Sequence, residues 1–474
     1  MKLLNRKNAD IISNRPVKIL QFGTGNFLRG FIDWAVDILN EKTSFNGDIQ
    51  IVQPHGKSPA TALNEQEGLY HVITRGFQNG QVVEEERLIS SVRSAINPYL
   101  EYESFLALAD NPELRLMVSN TTEAGIYFDP KDNQPENVSA SFPGKLTALL
   151  YRRFSVFQGD PAKGLIHLPC ELIEQNGQKL KEAVLQYAAL WNLGTEFEQW
   201  INEHNTFCNT LVDRIVPGLP QENVHEIEEK IGFEDKQMVM TEPFHLWIIE
   251  GPQSLEKEFP IGKTGLDIYY ADDLSPYRTR KVRILNGAHT AMVPLAYLRG
   301  LRTVREAVED PFIGNFLTQT VYNEIIPTLD LPKEELEKFA QDVIERFKNP
   351  FIKHQLKDIA LNSVSKFQVR VLPSLLEYYQ RKKQLPENLV LSFAALIVFY
   401  RGNYRGESLP VRDTPEVMDF FQELWQNENS HTIATQVLAQ TTFWQQNLNN
   451  IEGLSDLLAE KITILLSNPA ETPR

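Results

Sequence analysis

Lys281, Asn286 and His289 lie in one short segment, Lys-Val-Arg-Ile-Leu-Asn-Gly-Ala-His, whose apolar spacing predicts a helix. At about 100° per residue, Asn286 lies about 140° and His289 about 80° around that helix from Lys281. Asn286 and His289 are i, i+3 neighbours. An amine, an amide and an imidazole lining one side of a helix suit metal-free oxidation of an alcohol. Lys281 would take the hydroxyl proton as hydride leaves, and the Asn286 amide would donate to the developing alkoxide. His289 would hold the substrate hydroxyl or fix the lysine. A lysine is a base near neutral pH only where desolvation or neighbouring positive charge lowers its pKa. The same types on an ordinary helix are a solvated lysine, an irregularity beside Gly287 and an interior histidine, so spacing alone does not decide.

The second chemical signal is Gly23-Thr24-Gly25, which follows the apolar run Val17–Phe22 and opens a helical pattern carrying Phe27, Phe31, Trp34, Ala35 and Ile38 on one face. Strand, glycine turn and helix offer open backbone N–H groups and a positive dipole end to a pyrophosphate. Gly23, Thr24, Gly25, Asn26 and Phe27 are therefore candidate dinucleotide contacts. Arg29 is placed to reach a phosphate or to lie solvated on the helix. The full glycine pattern wants a glycine at position 28, where this chain has Leu28, with Gly30 two residues on. Gln53 occupies the place of the residue that binds the ribose hydroxyls, which leaves NAD or NADP open. Thr122 and Glu123, at the end of a later strand, face a dinucleotide or cap a helix.

These residues need elements to position them. Strands are predicted at 17–22, 49–52, 82–90 or nearby, 114–119 and 165–168, with helices at 26–40, 144–153 and 178–190. The alternation implies a parallel sheet covered on both faces. Beyond about residue 276 nearly every segment has helical period: 281–298, 302–308, 311–324, 333–348, 353–362, 366–381, 387–401, 414–426, 430–440 and 451–466. The expected organisation is an α/β parallel-sheet domain over 1–275, followed by an all-α domain over 276–474.

Composition narrows the function classes. The 474 residues are 42% apolar and 23% charged, a globular balance. The net charge of -15 repels nucleic acid and argues against a membrane-surface role. Cys170 and Cys208 are the two cysteines, too few for a disulfide framework or a four-cysteine zinc site, and they fit a reducing compartment. Cys170 reads as a buried structural thiol. The N-terminus turns polar too soon for a signal peptide, and the longest apolar run, 390–400, is about half a membrane span. A soluble cytoplasmic protein is expected. The nine histidines show no close ligand pair along the chain, so no metal site is expected.

Taken together, Gly23, Gly25 and Phe27, the Lys281, Asn286 and His289 set, FPGKLTALLYRRF at 142–154, LVDRIVP at 211–217, EPFHLWIIE at 242–250, NP at 349–350 and SKF at 365–367 resemble the mannitol dehydrogenase family of long-chain polyol and hexuronate dehydrogenases. The resemblance runs along most of the chain. It implies a metal-independent, NAD-dependent enzyme with an N-terminal Rossmann-type domain and a helical C-terminal domain, in which Lys281 is the general base. Two departures from the mannitol pattern, Leu172 in place of an active-site asparagine and Arg278 in place of an acidic residue, are similar to the branch that interconverts tagaturonate and altronate. Reduction of fructuronate, oxidation of a polyol and non-catalytic NAD binding are the alternatives. A hexuronate substrate calls for a cation at its carboxylate. Lys366 matches a family lysine and is the first candidate, followed by Arg278 and Arg370. No oligomeric state is predicted.

Overall fold

The computed structural model describes residues 1–12, 14–56, 61–133, 136–219 and 223–467. The chain divides into two compact units, one of Met1–Arg75 with Val82–Leu274 and one of Gly76–Gln81 with Ser275–Arg474.

The first unit is organised by six strands: β1 (Val17–Phe22), β2 (Asp48–Val52), β3 (Val92–Ile96), β4 (Leu116–Ser119), β5 (Ile166–Pro169) and β6 (Thr206–Phe207). Their spatial order is β3-β2-β1-β4-β5-β6, and every pairing is parallel. Successive side chains on a strand point to opposite faces. Thus Ile19 and Val118 enter one apolar cluster, with Phe31, Trp34, Ala35 and Ile38 of the first helical run. Leu20 and Met117 enter the other, with Leu146 and Leu150 of Phe142–Val156 and Leu180 and Val184 of Asn176–Leu190. This is the doubly wound arrangement expected from sequence. Strand order reverses between β1 and β4, so ligands are expected beyond their carboxyl ends, where Gly23 and Asn120 lie.

One strand predicted for the parallel sheet lies elsewhere. Gln81–Ile89 pairs with Tyr70–Gln78, which in turn pairs with Val239–Thr241, in a separate three-stranded sheet. The third parallel strand is β3 instead. The reason is legible in retrospect: Gln81, Glu84, Glu85 and Glu86 carry polar, exposed positions that a sheet covered on both faces excludes. Asn79 and Gly80 both have positive φ, 52° and 75°, as a two-residue hairpin turn requires. A further three-stranded sheet joins Asn209–Asp213, Leu246–Glu250 and Ile268–Ala271.

The second unit is largely helical. Glu387–Phe399 is apolar nearly all round and packs against Gly287–Leu298 and Leu454–Ser467. The segment predicted as a helix over 353–362 is helical only at Leu356–Ile359. The expectation of an all-α region also misses a short antiparallel pairing of Asn403–Tyr404 with Glu407–Ser408, closed by Arg405 and Gly406 at φ 53° and 82°. A two-residue strand is too short to leave a periodic signal.

Gly30 explains the displaced third glycine of the turn pattern. A Cβ there would lie 2.7 Å from Thr241 Cγ2 and 2.9 Å from Val216 Cγ1, so the helix after the turn packs at glycine distance. That is the packing role the third glycine serves in dinucleotide-binding turns. Both neighbours are β-branched and stiff. Gly30→Ala is expected to destabilise the protein by about 1–3 kcal/mol despite alanine's better helix propensity. Denaturant unfolding checks it, and a variant as stable as the parent would refute the packing argument.

Candidate functional site

At the end of β1, Gly23 adopts φ 140°, and a Cβ would lie 2.6 Å from Leu28 Cδ1 and 3.1 Å from Asn120 O. No side chain fits there. Gly25 differs: a Cβ would meet nothing within 4 Å, so open space adjoins the turn. The helix beginning at Asn26 has no side-chain cap, which leaves its first N–H groups directed outward. Thr24 and Phe27 are half-buried, and Gly25 and Asn26 are exposed. Gln53 follows β2 directly, half-buried, with its amide donating to His55 O at 2.9 Å.

Arg29 is neither solvated nor extended toward the open space. It is buried, and its guanidinium donates to Thr24 O (3.2 Å), Gln237 O (2.5 Å) and Asn26 Oδ1 (2.7 Å). Its role in this structure is to hold the turn.

Beyond β4, Thr122 and Glu123 are exposed, and no helix starts at them; the next begins at Phe142 with Ser141 as its cap. The capping alternative for Thr122 and Glu123 therefore falls. Thr122 has φ 89°, an outlier for a β-branched residue, of the kind that persists where surrounding structure over-determines it. The determinant is Glu171, which the sequence reading did not single out. Its buried carboxylate accepts from Thr121 N and Thr121 Oγ1, both at 2.9 Å, and from Ser119 Oγ at 3.0 Å. Burial raises its pKa against these bonds. Lys145 was also missed: fully buried, it donates to Tyr99 Oη and Ala140 O, each at 3.1 Å, and burial pushes its pKa down to about 8. A lysine on the apolar face of FPGKLTALLYRRF was the available signal. Cys170 is buried with its pKa well raised by desolvation, as suits a structural thiol. Leu172 is 61% exposed.

In the second unit, Lys281–Asn286 is a π turn set between Ser275–Arg280 and Gly287–Leu298. The Gly287 N–H reaches Val282 O, five residues back. This changes the geometry expected from a regular helix. An i→i+5 turn brings residue i+5 nearly above residue i, so Lys281 and Asn286 share a face instead of standing about 140° apart. Single π turns of this type recur at functional sites. Both side chains are half-buried. The His289 ring stacks on Phe347 with centroids 4.0 Å apart and meets His354 edge-on at 5.3 Å. Two histidines 65 positions apart are thus neighbours in space, a pair that spacing along the chain did not reveal. No group of three or more potential metal ligands occurs among the described residues.

Of the cation candidates, Lys366 is half-buried on Ser363–Arg370 and donates to Ile359 O at 2.9 Å. Burial first, and then the charge of Arg370, lower its pKa. Arg278 is half-buried and has an interaction partner of its own.

Fold and site together define a protein class: a doubly wound α/β unit with a glycine turn open at its switch point, joined in sequence to a helical unit bearing an amine, an amide and an imidazole. Residues 17–263 match the mannitol dehydrogenase Rossmann domain, and residues 273–465 match the mannitol dehydrogenase C-terminal domain. The chain belongs to the mannitol dehydrogenase family. The altronate oxidoreductase of Bacillus subtilis is 50% identical to it, over 97% of this chain and 95% of the relative. That of Phocaeicola vulgatus is 48% identical, over 96% and 95%. An Escherichia coli altronate oxidoreductase is 46% identical, over 98% of both. Two solved structures share the fold: Pseudomonas fluorescens mannitol 2-dehydrogenase in a ternary complex with NAD and D-mannitol (23% identity, TM-score 0.67, 99% of this chain and 97% of that one) and a substrate-free D-sorbitol dehydrogenase (22%, 0.80, 98% and 97%).

Beneath the glycine turn lies a buried acid. Asp33 accepts from Tyr70 Oη at 2.6 Å, and Gln21, beside it, donates to Gly23 O at 3.2 Å. Burial raises Asp33 from 3.8 to about 7, against the opposing effects of Tyr70, Arg29 and Gln21. Between these two values the unfolded chain has released this proton and the folded chain retains it, so the group's contribution to stability falls as pH rises from about 4 to about 7. Asp33→Asn should flatten this part of the profile. Thermal melts at pH 5 and pH 8 test it, and an unchanged difference between the two would count against the buried, protonated acid.

Proposed function

We propose that this chain is an NAD-dependent, metal-independent oxidoreductase that interconverts D-tagaturonate and D-altronate. In this reading residues 1–275 hold the dinucleotide, and residues 276–474 supply the acid/base and substrate-binding groups. The observation that carries the chemistry is the π turn that aligns Lys281 with Asn286. The substrate assignment draws on the near-full-length identity to the altronate oxidoreductases.

The residues of the first unit fit a dinucleotide. Space adjoins Gly25 where a side chain would otherwise stand, and the N–H groups of the uncapped helix at Asn26 suit a pyrophosphate. Thr24, Asn26 and Phe27 flank that space, Gln53 offers its side chain to ribose hydroxyls, and Thr122 and Glu123 line the edge beyond β4. NAD, when bound, supplies the hydride acceptor. Lys281 holds the proton that the substrate hydroxyl loses on oxidation and returns it on reduction, at Nζ. The Asn286 amide donates to the substrate oxygen as its negative charge develops. His289, its ring fixed by Phe347, orients the substrate hydroxyl. Lys366 and Arg278 contribute positive charge to the substrate side. The two free buried thiols fit a reducing compartment, and the reading places the enzyme in the cytoplasm.

NADH absorbance followed with tagaturonate, fructuronate and fructose in parallel, with and without chelator, tests the proposal. Chelator-insensitive oxidation of NADH, fastest with tagaturonate, is expected. A preference for fructuronate or fructose would overturn the substrate assignment. Lys281→Ala is expected to lower kcat by roughly 10²–10⁴-fold while NADH affinity, read by fluorescence titration, stays unchanged. Undiminished turnover would remove the lysine from the chemistry.

A further inference from the structure

We propose that Arg370 takes the substrate carboxylate and thereby sets the preference for a sugar acid over an uncharged hexitol; the inference rests on the reading given under Proposed function. Three observations lead to it. First, Arg370 ends the helix Ser363–Arg370, and its carbonyl oxygen lies 3.0 Å from where a Cβ of Gly287 would stand. Gly287 directly follows Asn286, so the end of this helix is docked against the π turn that carries Lys281 and Asn286, and the two elements pack together.

Second, Arg370 is half-buried but makes no hydrogen bond or ion pair among the described residues. Burial alone acts on its pKa, downward, with no neighbouring carboxylate to offset it. An arginine remains ionised regardless. Partial burial of an unpaired charge is unfavourable, and an anionic ligand would relieve it. Third, the other candidates are engaged: Lys366, one turn earlier on the same helix, donates to Ile359 O, and Arg278 has its own partner. The acid whose charge reaches Lys366, Asp413, already accepts from Tyr400 Oη at 2.5 Å. Lys366 thus serves as a second positive charge beside a guanidinium whose planar fork is free. That fork matches a carboxylate through two parallel N–H···O bonds, which an ammonium cannot reproduce.

The test is equilibrium binding of altronate to the enzyme–NADH complex, in which no hydride transfer to product can occur, with the neutral hexitol altritol as control. Arg370→Gln is expected to weaken altronate binding roughly 10- to 100-fold, the range for hydrogen bonds to a charged group, and to leave altritol binding within about twofold. Arg370→Lys should fall between, and it keeps the test available if the glutamine variant fails to fold. Equal altronate affinity in the parent and the glutamine variant would overturn the proposal, as would equal weakening toward altronate and altritol, the mark of a structural role. A parent protein that binds altritol but not altronate would instead overturn the hexuronate reading, and the Arg370 assignment with it.

Discussion

Three close approaches, each crowded by any side chain at the glycine, set the geometry on which the rest depends. Gly23 lets the backbone after β1 pass beside Asn120 O, Gly30 lets the following helix settle on Thr241 and Val216, and Gly287 lets the helix end at Arg370 lie against the π turn. In the first unit the constraint orients a helix N-terminus toward open space. In the second it holds a cation-bearing helix beside Lys281 and Asn286. Packed interiors transmit such distances because they contain little room to adjust.

Around these approaches the structure commits buried polar groups to holding backbone. Arg29 holds the glycine turn through Thr24 O, and Glu171 holds the strained turn beyond β4 through Thr121 and Ser119. Glu324, in another π turn, accepts from Asn388 N at 2.9 Å and Leu389 N at 2.8 Å, which caps the apolar helix Glu387–Phe399. Each satisfies N–H or C=O groups that would otherwise be left without partners at an element's end. Lys281 and Asn286, to which the proposed chemistry is assigned, by contrast stay half-buried.

The sequence made the α/β unit legible because buried parallel strands and amphipathic helices leave strong patterns: Val17–Phe22 has the predicted bounds, and Phe31, Trp34, Ala35 and Ile38 bury together. It misplaced Gln81–Ile89 because a strand's existence is local while its partner is not. The candidate site was legible only as a set of residue types. Arg29 shows the limit: an arginine in the first turn of a phosphate-facing helix reads as a ligand contact, and only folding reveals that three acceptors of the protein's own surround it. Glu171 and the His289–His354 neighbourhood gave no local signal, because their significance lies in what faces them.

What the sequence determined by itself is the inventory and the periodicity: a glycine turn after a strand, a lysine, asparagine and histidine on one helical segment, and two regions of different structural class. Backbone periodicity and glycine's lack of a Cβ are properties of a few consecutive residues, so a few consecutive residues reveal them. Tertiary structure alone decided that Lys281 and Asn286 share a face, that Leu28 is acceptable because Gly30 makes the close packing, and that the Arg370 side chain has no hydrogen-bond or ion-pair partner among the described residues. A π turn, a packing distance and an unpaired charge depend on atoms brought together from distant parts of the chain, and no local pattern encodes them.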